Sequence, residues 1–167
     1  MEYIVEELKP GDFEKFYEFA SDFILNRYED YPRQVRKKYL ENDLNKDQLK
    51  EDIKKAEAEV LVAFAEGGII GFAVLAFERG GATHIQWMAV DEKHRGHGVG
   101  SKLLSLAEEV AKEHKCHFVI LWTESEKNIK FYQKRGYYLV GLQRQAWYGI
   151  DENLMQKNLC PPFPIEE

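Results

Sequence analysis

Apolar residues recur along this chain at two spacings, near 3.6 and near 2, and the switches between them mark its elements. Tyr3 to Leu8 reads as a short strand, and Pro10-Gly11-Asp12 as a turn in which Asp12 caps the following helix. Phe13, Phe16, Tyr17, Ala20, Phe23 and Ile24 then lie on one helical face. Tyr31 to Glu57 is highly charged at helical spacing and predicts two helices broken near Asn42 to Asn45, with Leu49, Ile53 and Ala56 on the buried side of the second. From Glu59 the pattern changes to strands: Glu59 to Ala65, a turn at Gly67-Gly68, Ile69 to Phe77, a break at Gly80-Gly81, and Ala82 to Val90.

A glycine-rich stretch opens the next helix, whose inward residues are Leu103, Leu106, Ala107 and Val110. Cys116 to Trp122 is apolar throughout and predicts a central strand buried on both faces. Ser125 is placed to cap a short helix running to Lys134, and Gly136 to end it. Two strands follow, Tyr137 to Gln143 and Asn153 to Leu159, and Pro161, Pro162 and Pro164 make the end an extended tail. Neither repeats nor low-complexity linkers divide the 167 residues, so a single domain is expected over 1–167.

Composition narrows the classes of function. With 44% hydrophobic and 31% charged residues the chain reads as an ordinary globular protein. Its net charge of −6 argues against a nucleic-acid partner, which selects a basic face. No apolar run approaches the roughly 20 residues of a membrane span, and Met1 opens a strand-like segment rather than a secretion signal. A cytoplasmic protein is therefore expected. Two cysteines, Cys116 and Cys160, are too few for a disulfide framework. Neither His94 with His97 nor His114 with Cys116 and His117 has a recognised zinc spacing, so no metal site is expected.

The chemistry concentrates in residues 88 to 101, Met-Ala-Val-Asp-Glu-Lys-His-Arg-Gly-His-Gly-Val-Gly-Ser. Gly96, Gly98 and Gly100 at a helix start aim several N–H groups at one point, where the helix dipole adds positive potential. Such a cradle suits a pyrophosphate, with Arg95 adding charge; from the glycines alone, a turn without a ligand fits equally well. A Walker loop is excluded because the fifth residue after Gly96 is Ser101. The dinucleotide fingerprint fails at the same residue, and Cys116 to Trp122 carries no acid to meet a ribose.

Arg95-x-x-Gly98-x-Gly100 does fit the phosphate loop of the GCN5-related N-acetyltransferase (GNAT) superfamily, and the chain resembles that family. A second segment carries the same resemblance: Asn128-Ile129-Lys130-Phe131-Tyr132-Gln133-Lys134-Arg135-Gly136-Tyr137, an aromatic-Tyr pair shortly before a glycine and another aromatic. The likeness is strongest from Glu59 to Leu159 and extends to the first 58 residues only in the order of elements. It implies the α/β (α+β) GNAT acyl-CoA N-acyltransferase fold: a mixed, mostly antiparallel sheet flanked by helices, with a splayed central parallel strand pair. On that scheme 1–58 supplies a strand and acceptor-side helices, 59–159 the acetyl-CoA core, and 160–167 a tail.

The resemblance also implies acetyl-CoA as cosubstrate and an N-acetyltransferase that transfers directly within a ternary complex. Cofactor contacts fall to Arg95, Gly96, His97, Gly98, Val99, Gly100 and Ser101, and to the backbone of Met88, Ala89 and Val90. Asn128 stands one turn beyond Ser125, the position where many relatives carry an asparagine that reaches the cofactor. Tyr132 is the candidate acid for the leaving thiolate, and a core tyrosine is the competing interpretation. His84 occupies the place of a glutamate that serves some relatives as base, with Glu124 its rival.

An acidic protein attracts cations, so the expected acceptor is a small amine or polyamine. Protein N-termini are the alternative, because Trp147 to Met155 is similar to the terminal hairpin of enzymes that acetylate them. Against it, Ile120 stands where the ribosomal-protein type carries a carboxylate. A non-catalytic acetyl-CoA-binding module is a further alternative. Family resemblance also implies a homodimer formed through the last strands.

Overall fold

The structure, a computed structural model, describes residues 1–65 and 67–162. Among these residues seven strands form one sheet: β1 (Ile4–Glu7), β2 (Ala58–Ala65), β3 (Gly68–Glu78), β4 (Ala82–Val90), β5 (Phe118–Thr123), β6 (Tyr138–Trp147) and β7 (Ile150–Asn158). Their order is β1-β2-β3-β4-β5-β7-β6. Five α-helices among the described residues accompany them: α1 (Phe13–Asp22), α2 (Arg33–Asn42), α3 (Lys46–Lys54), α4 (Val99–Glu113) and α5 (Glu126–Gln133). Pairing is antiparallel for β1 with β2, β5 with β7 and β6 with β7, and parallel for β4 with β5. The chain forms two compact units, Met1–Leu75 with Trp87–Ala107, and Ala76–Gln86 with the chain from Glu108 on.

In the first unit β1 zips to β2 from Ile4↔Phe64 to Glu7↔Leu61. Helix α1 buries Phe13, Phe16 and Ala20, as its periodicity predicts. Phe16, Phe19 and Phe23 all present their rings at steep angles to Phe72 of β3, with centroids 5.6, 6.1 and 6.2 Å away. That geometry is the favourable one for aromatic pairs and anchors the helix to the sheet. Asp12 does not cap α1 through its side chain, because its carboxylate pairs instead with Lys15 at 3.1 Å. At its far end α1 widens into a π-helical turn, Phe23–Arg27, closed by the Tyr28 N–H on the Phe23 carbonyl.

The break between α2 and α3 falls where the sequence places it. Asn45 makes the cap, accepting the N–H groups of Asp47 and Gln48 at 3.1 and 3.2 Å. Leu49 is buried and Ile53 half-buried, but Ala56 is exposed. It lies beyond the helix with φ +55°, so the turn has already carried it off the apolar face. Three tyrosines from the neighbouring stretch, Tyr28, Tyr31 and Tyr39, converge on Trp87 of β4, with ring centroids 5.1, 6.4 and 4.8 Å from it.

In the second unit the parallel pairing runs from Ala82↔Phe118 to Ile85↔Leu121. β5 pairs on its other side with β7, from Phe118↔Asn158 to Thr123↔Asn153. It is not buried on both faces as its composition predicts: Val119, Leu121 and Thr123 are buried, whereas Phe118, Ile120 and Trp122 are half-buried. Ser125 stands at the N-cap of α5 but makes no side-chain cap hydrogen bond. Gly136 follows the helix with φ +86°, the left-handed stop expected of it.

β6 and β7 are longer than their sequence pattern indicates. They meet in a two-residue turn at Tyr148 and Gly149, with φ +51° and +87°. β6 is the sheet edge and is exposed on both faces up to Gln145, so no alternation survives to reveal its length. Pro161 and Pro162 have no regular structure, and Pro164 lies outside the described residues.

Candidate active site

The glycine loop belongs to the first unit. β4 ends with Met88 and Val90 half-buried and Ala89 buried between them. Asp91 then caps a 3-10 turn, Glu92–His94, through the Lys93 N–H at 3.0 Å. The same carboxylate takes Arg27 from the π-helical turn at 2.7 Å, and Arg27 also binds Asp22. The entrance to the loop is thereby tied to the end of α1.

Arg95 is exposed and bends back to donate from Nε to the Val90 carbonyl at 3.2 Å. Gly96 and Gly98 have φ of +80° and +84°, which no β-branched or bulky residue adopts without strain. His97 between them is exposed. Val99 starts α4 with its side chain in the core, 1% exposed, so only its backbone is available to a ligand. Gly100 and Ser101 follow in the first turn of α4, both half-buried. The loop therefore has the left-handed glycines and helix N-terminus that a pyrophosphate cradle requires.

Gly71 on β3 carries no motif and was not singled out by sequence, yet it shapes this site. A Cβ there would lie 2.9 Å from the Ala89 carbonyl oxygen, 3.3 Å from Leu103 and 3.4 Å from Val90. Its missing side chain is what lets the end of β4 pack so closely.

The second unit carries the titratable candidates. Tyr132 lies on the buried side of α5, 8% exposed, with ring centroids 5.1 Å from Phe131 and 5.6 Å from Tyr137. Burial pushes its phenol well above the ordinary value, and the Glu124 charge pushes it further, while Arg135 acts the other way. The hydroxyl is thus firmly protonated at neutral pH. It is also a weaker acid than the sequence implies, since the gap to a thiol exceeds the about 1.5 pKa units between ordinary values.

His84 is half-buried on β4, opposite Ile120. Burial lowers its pKa to about 4, leaving it neutral at pH 7 and a poor proton acceptor. Asn128 is half-buried on α5. Glu152, near the hairpin end of β7, is a buried carboxylate, 2% exposed, that sequence reasoning passed over. Its backbone partner across the hairpin is Gln143 of β6. No local pattern marks it, because it sits in the acidic run Asp151-Glu152 next to a turn.

Among the described residues no group of three His, Cys, Asp or Glu is arranged to hold a metal ion. His114 instead stacks flat on Phe77 at 3.7 Å, and His117 packs beside Gly81. Nor is any helix among the described residues long and apolar enough to cross a membrane.

Residues 14–137 match the sequence profile of the acetyltransferase (GNAT) family, and the chain belongs to that family. A curated relative is the glucosamine 6-phosphate N-acetyltransferase of Trypanosoma brucei brucei, 39% identical over 77 residues, covering 42% of this chain and 52% of that protein. The match thus spans about half the length of that relative. Among solved structures, yncA of Salmonella typhimurium, described with its cofactor acetyl-CoA, superimposes with a TM-score of 0.75 at 18% identity over 99% of both chains. The PaiA N-acetyltransferase of Thermoplasma acidophilum, in complex with coenzyme A, gives 0.72 at 18% identity over 95% of this chain and 99% of that one. At these identities the two structures establish the shared fold.

Proposed function

We propose that this protein is an acetyl-CoA-dependent N-acetyltransferase, a single functional domain that moves an acetyl group directly to a primary amine. The observation that carries the reading is the loop Arg95–Ser101, with two left-handed glycines at the start of α4 in a chain of the acetyltransferase family. Acetyl-CoA, when bound, supplies a thioester as acyl donor. The backbone N–H groups of Gly96 to Ser101 hold its pyrophosphate, and the exposed Arg95 adds charge at the loop. The main chain of Met88, Ala89 and Val90 aligns the pantetheine arm, and an N–H from Met88 or Ala89 donates to the thioester oxygen as charge grows there. Asn128 is assigned to the cofactor by family resemblance.

Two protons must move: one leaves the attacking amine and one reaches the departing sulfur. Tyr132 gives the second. For the first, His84 is the family-position base, and its imidazole is deprotonated at any working pH above its value of about 4. Glu124, just beyond β5, is the alternative base.

The acceptor is a small amine. The relative's name gives an amino sugar phosphate as one such acceptor, and the net charge of −6 is suited to drawing in cationic amines. Mass spectrometry tests this with acetyl-CoA and a panel of polyamines, amino sugars, amino acids and peptides. A single acetylated small amine is the expected result, whereas acetylated peptide N-termini alone would overturn the acceptor class. Tight acetyl-CoA binding with no product from any acceptor class would favour a binding module.

The chain also pairs with itself through β6 in this reading. That edge strand exposes Tyr138, Leu139, Val140 and Leu142 by 45–50%, an apolar ladder suited to a second copy.

A further inference from the structure

Tyr3, just before β1, lies 94 residues from the glycine loop in sequence, yet its hydroxyl donates to the His97 carbonyl at 3.2 Å. Lys102 of α4 sets its ammonium 5.0 Å over the same ring. A Cβ on Gly98 would come within 3.3 Å of the Tyr3 hydroxyl, so ring and loop are in close contact.

The peptide between His97 and Gly98 is planar and trans, so its C=O and N–H point in opposite directions. Glycine takes either sign of φ at little cost, so Gly98 by itself leaves this peptide free to flip. One orientation presents an N–H to the loop interior; the other presents a carbonyl, which repels phosphate. The peptide on the other side of Gly98 is already fixed, because its carbonyl accepts the Lys102 N–H at 3.0 Å in the first turn of α4.

We infer that Tyr3 is a positioning residue for the cofactor loop: by holding the His97 carbonyl outward it keeps the Gly98 N–H turned toward the phosphate. The inference rests on the cofactor reading above. It assigns to the residue preceding β1 a part in binding acetyl-CoA that no motif marks.

Tyr3→Phe tests it by removing only the hydroxyl and leaving the ring beneath Lys102. Calorimetric titration with acetyl-CoA compares the variant with the parent, alongside the unliganded unfolding midpoint and the Gly98 amide resonance. Loss of one neutral hydrogen bond predicts a Kd raised about 3- to 10-fold, an unliganded midpoint lowered by no more than about 6 °C, and a smaller shift of the Gly98 amide on adding acetyl-CoA. An unchanged Kd in the variant, with the parent binding normally, overturns the inference alone. A weaker Kd accompanied by a fall in the unliganded midpoint well beyond that of one hydrogen bond overturns it too, since Tyr3 would then serve general stability. No binding by the parent overturns the cofactor reading first, and this with it.

Discussion

Replacing Gly71 by alanine adds a single methyl group at the tightest point behind the candidate site. The new Cβ would stand 2.9 Å from the Ala89 carbonyl oxygen, with Leu103 at 3.3 Å and Val90 at 3.4 Å. The two side chains can rotate slightly, but the carbonyl belongs to β4 and yields only if the strand moves by several tenths of an ångström. Overpacking of this kind costs about 1–3 kcal/mol. Removing a glycine restricts the unfolded chain and returns about 0.5–1 kcal/mol, so the net loss is about 1–2 kcal/mol. In a chain of this size that lowers Tm by about 2–8 °C. Because the displaced strand carries the backbone assigned to the thioester, turnover falls as well, by roughly tenfold for a sub-ångström misplacement. Urea unfolding followed by circular dichroism measures the first effect, and steady-state acetyl transfer the second. A variant as stable and as active as the parent would refute the argument that Gly71 sets the position of β4.

Tyr132→Phe lowers turnover by about 100-fold and leaves acetyl-CoA affinity within about twofold, as loss of a general acid requires; equal turnover removes the acid role. His84 makes stability pH-dependent. Its folded pKa of about 4 lies below the ordinary value of 6.5, so its contribution is complete above pH 6.5 and lost as pH falls through about 4. Between pH 7 and 4.5, His84→Leu therefore loses about 2–3 kcal/mol less than the parent in urea titrations; parallel losses would contradict the burial of the imidazole. Leu142→Lys places a charge on the exposed edge strand and converts a dimer to a monomer in sedimentation velocity; a parent that already sediments as a monomer ends the β6 proposal.

Sequence and structure agree best where local chemistry decides the outcome. Ala82 to Val90 is bounded by Gly80-Gly81 on one side and the glycine loop on the other, and β4 has those limits. Phe13, Phe16 and Ala20 declare a helical face because one face of α1 is buried and the other is wet. The pattern fails where that contrast is absent. β6 is wet on both sides, so Arg144 and Gln145 look like loop although they continue a strand. β5 looks uniformly buried because Phe118, Ile120 and Trp122 are apolar, although they are only half-covered.

The candidate site divides in the same way. Gly96, Gly98 and Tyr132 were legible because backbone conformation and a short motif constrain them locally. Tyr3 and Gly71 were not, since each acts through contacts set by distant parts of the chain.

The ring cluster around Trp87 gives the protein an optical reporter of its own. The indole is 9% exposed and has three tyrosine rings within 4.8 to 6.4 Å, one residue before the strand backbone assigned to the cofactor. Shielded from water, it emits to the blue of Trp122 and Trp147, and nearby tyrosines transfer excitation to it efficiently. Any ligand that shifts the segment from Tyr28 to Tyr39 changes those spacings and hence the emission of Trp87. In a Trp122→Phe/Trp147→Phe background, binding of any such ligand can be followed by fluorescence without a label and before any product is identified.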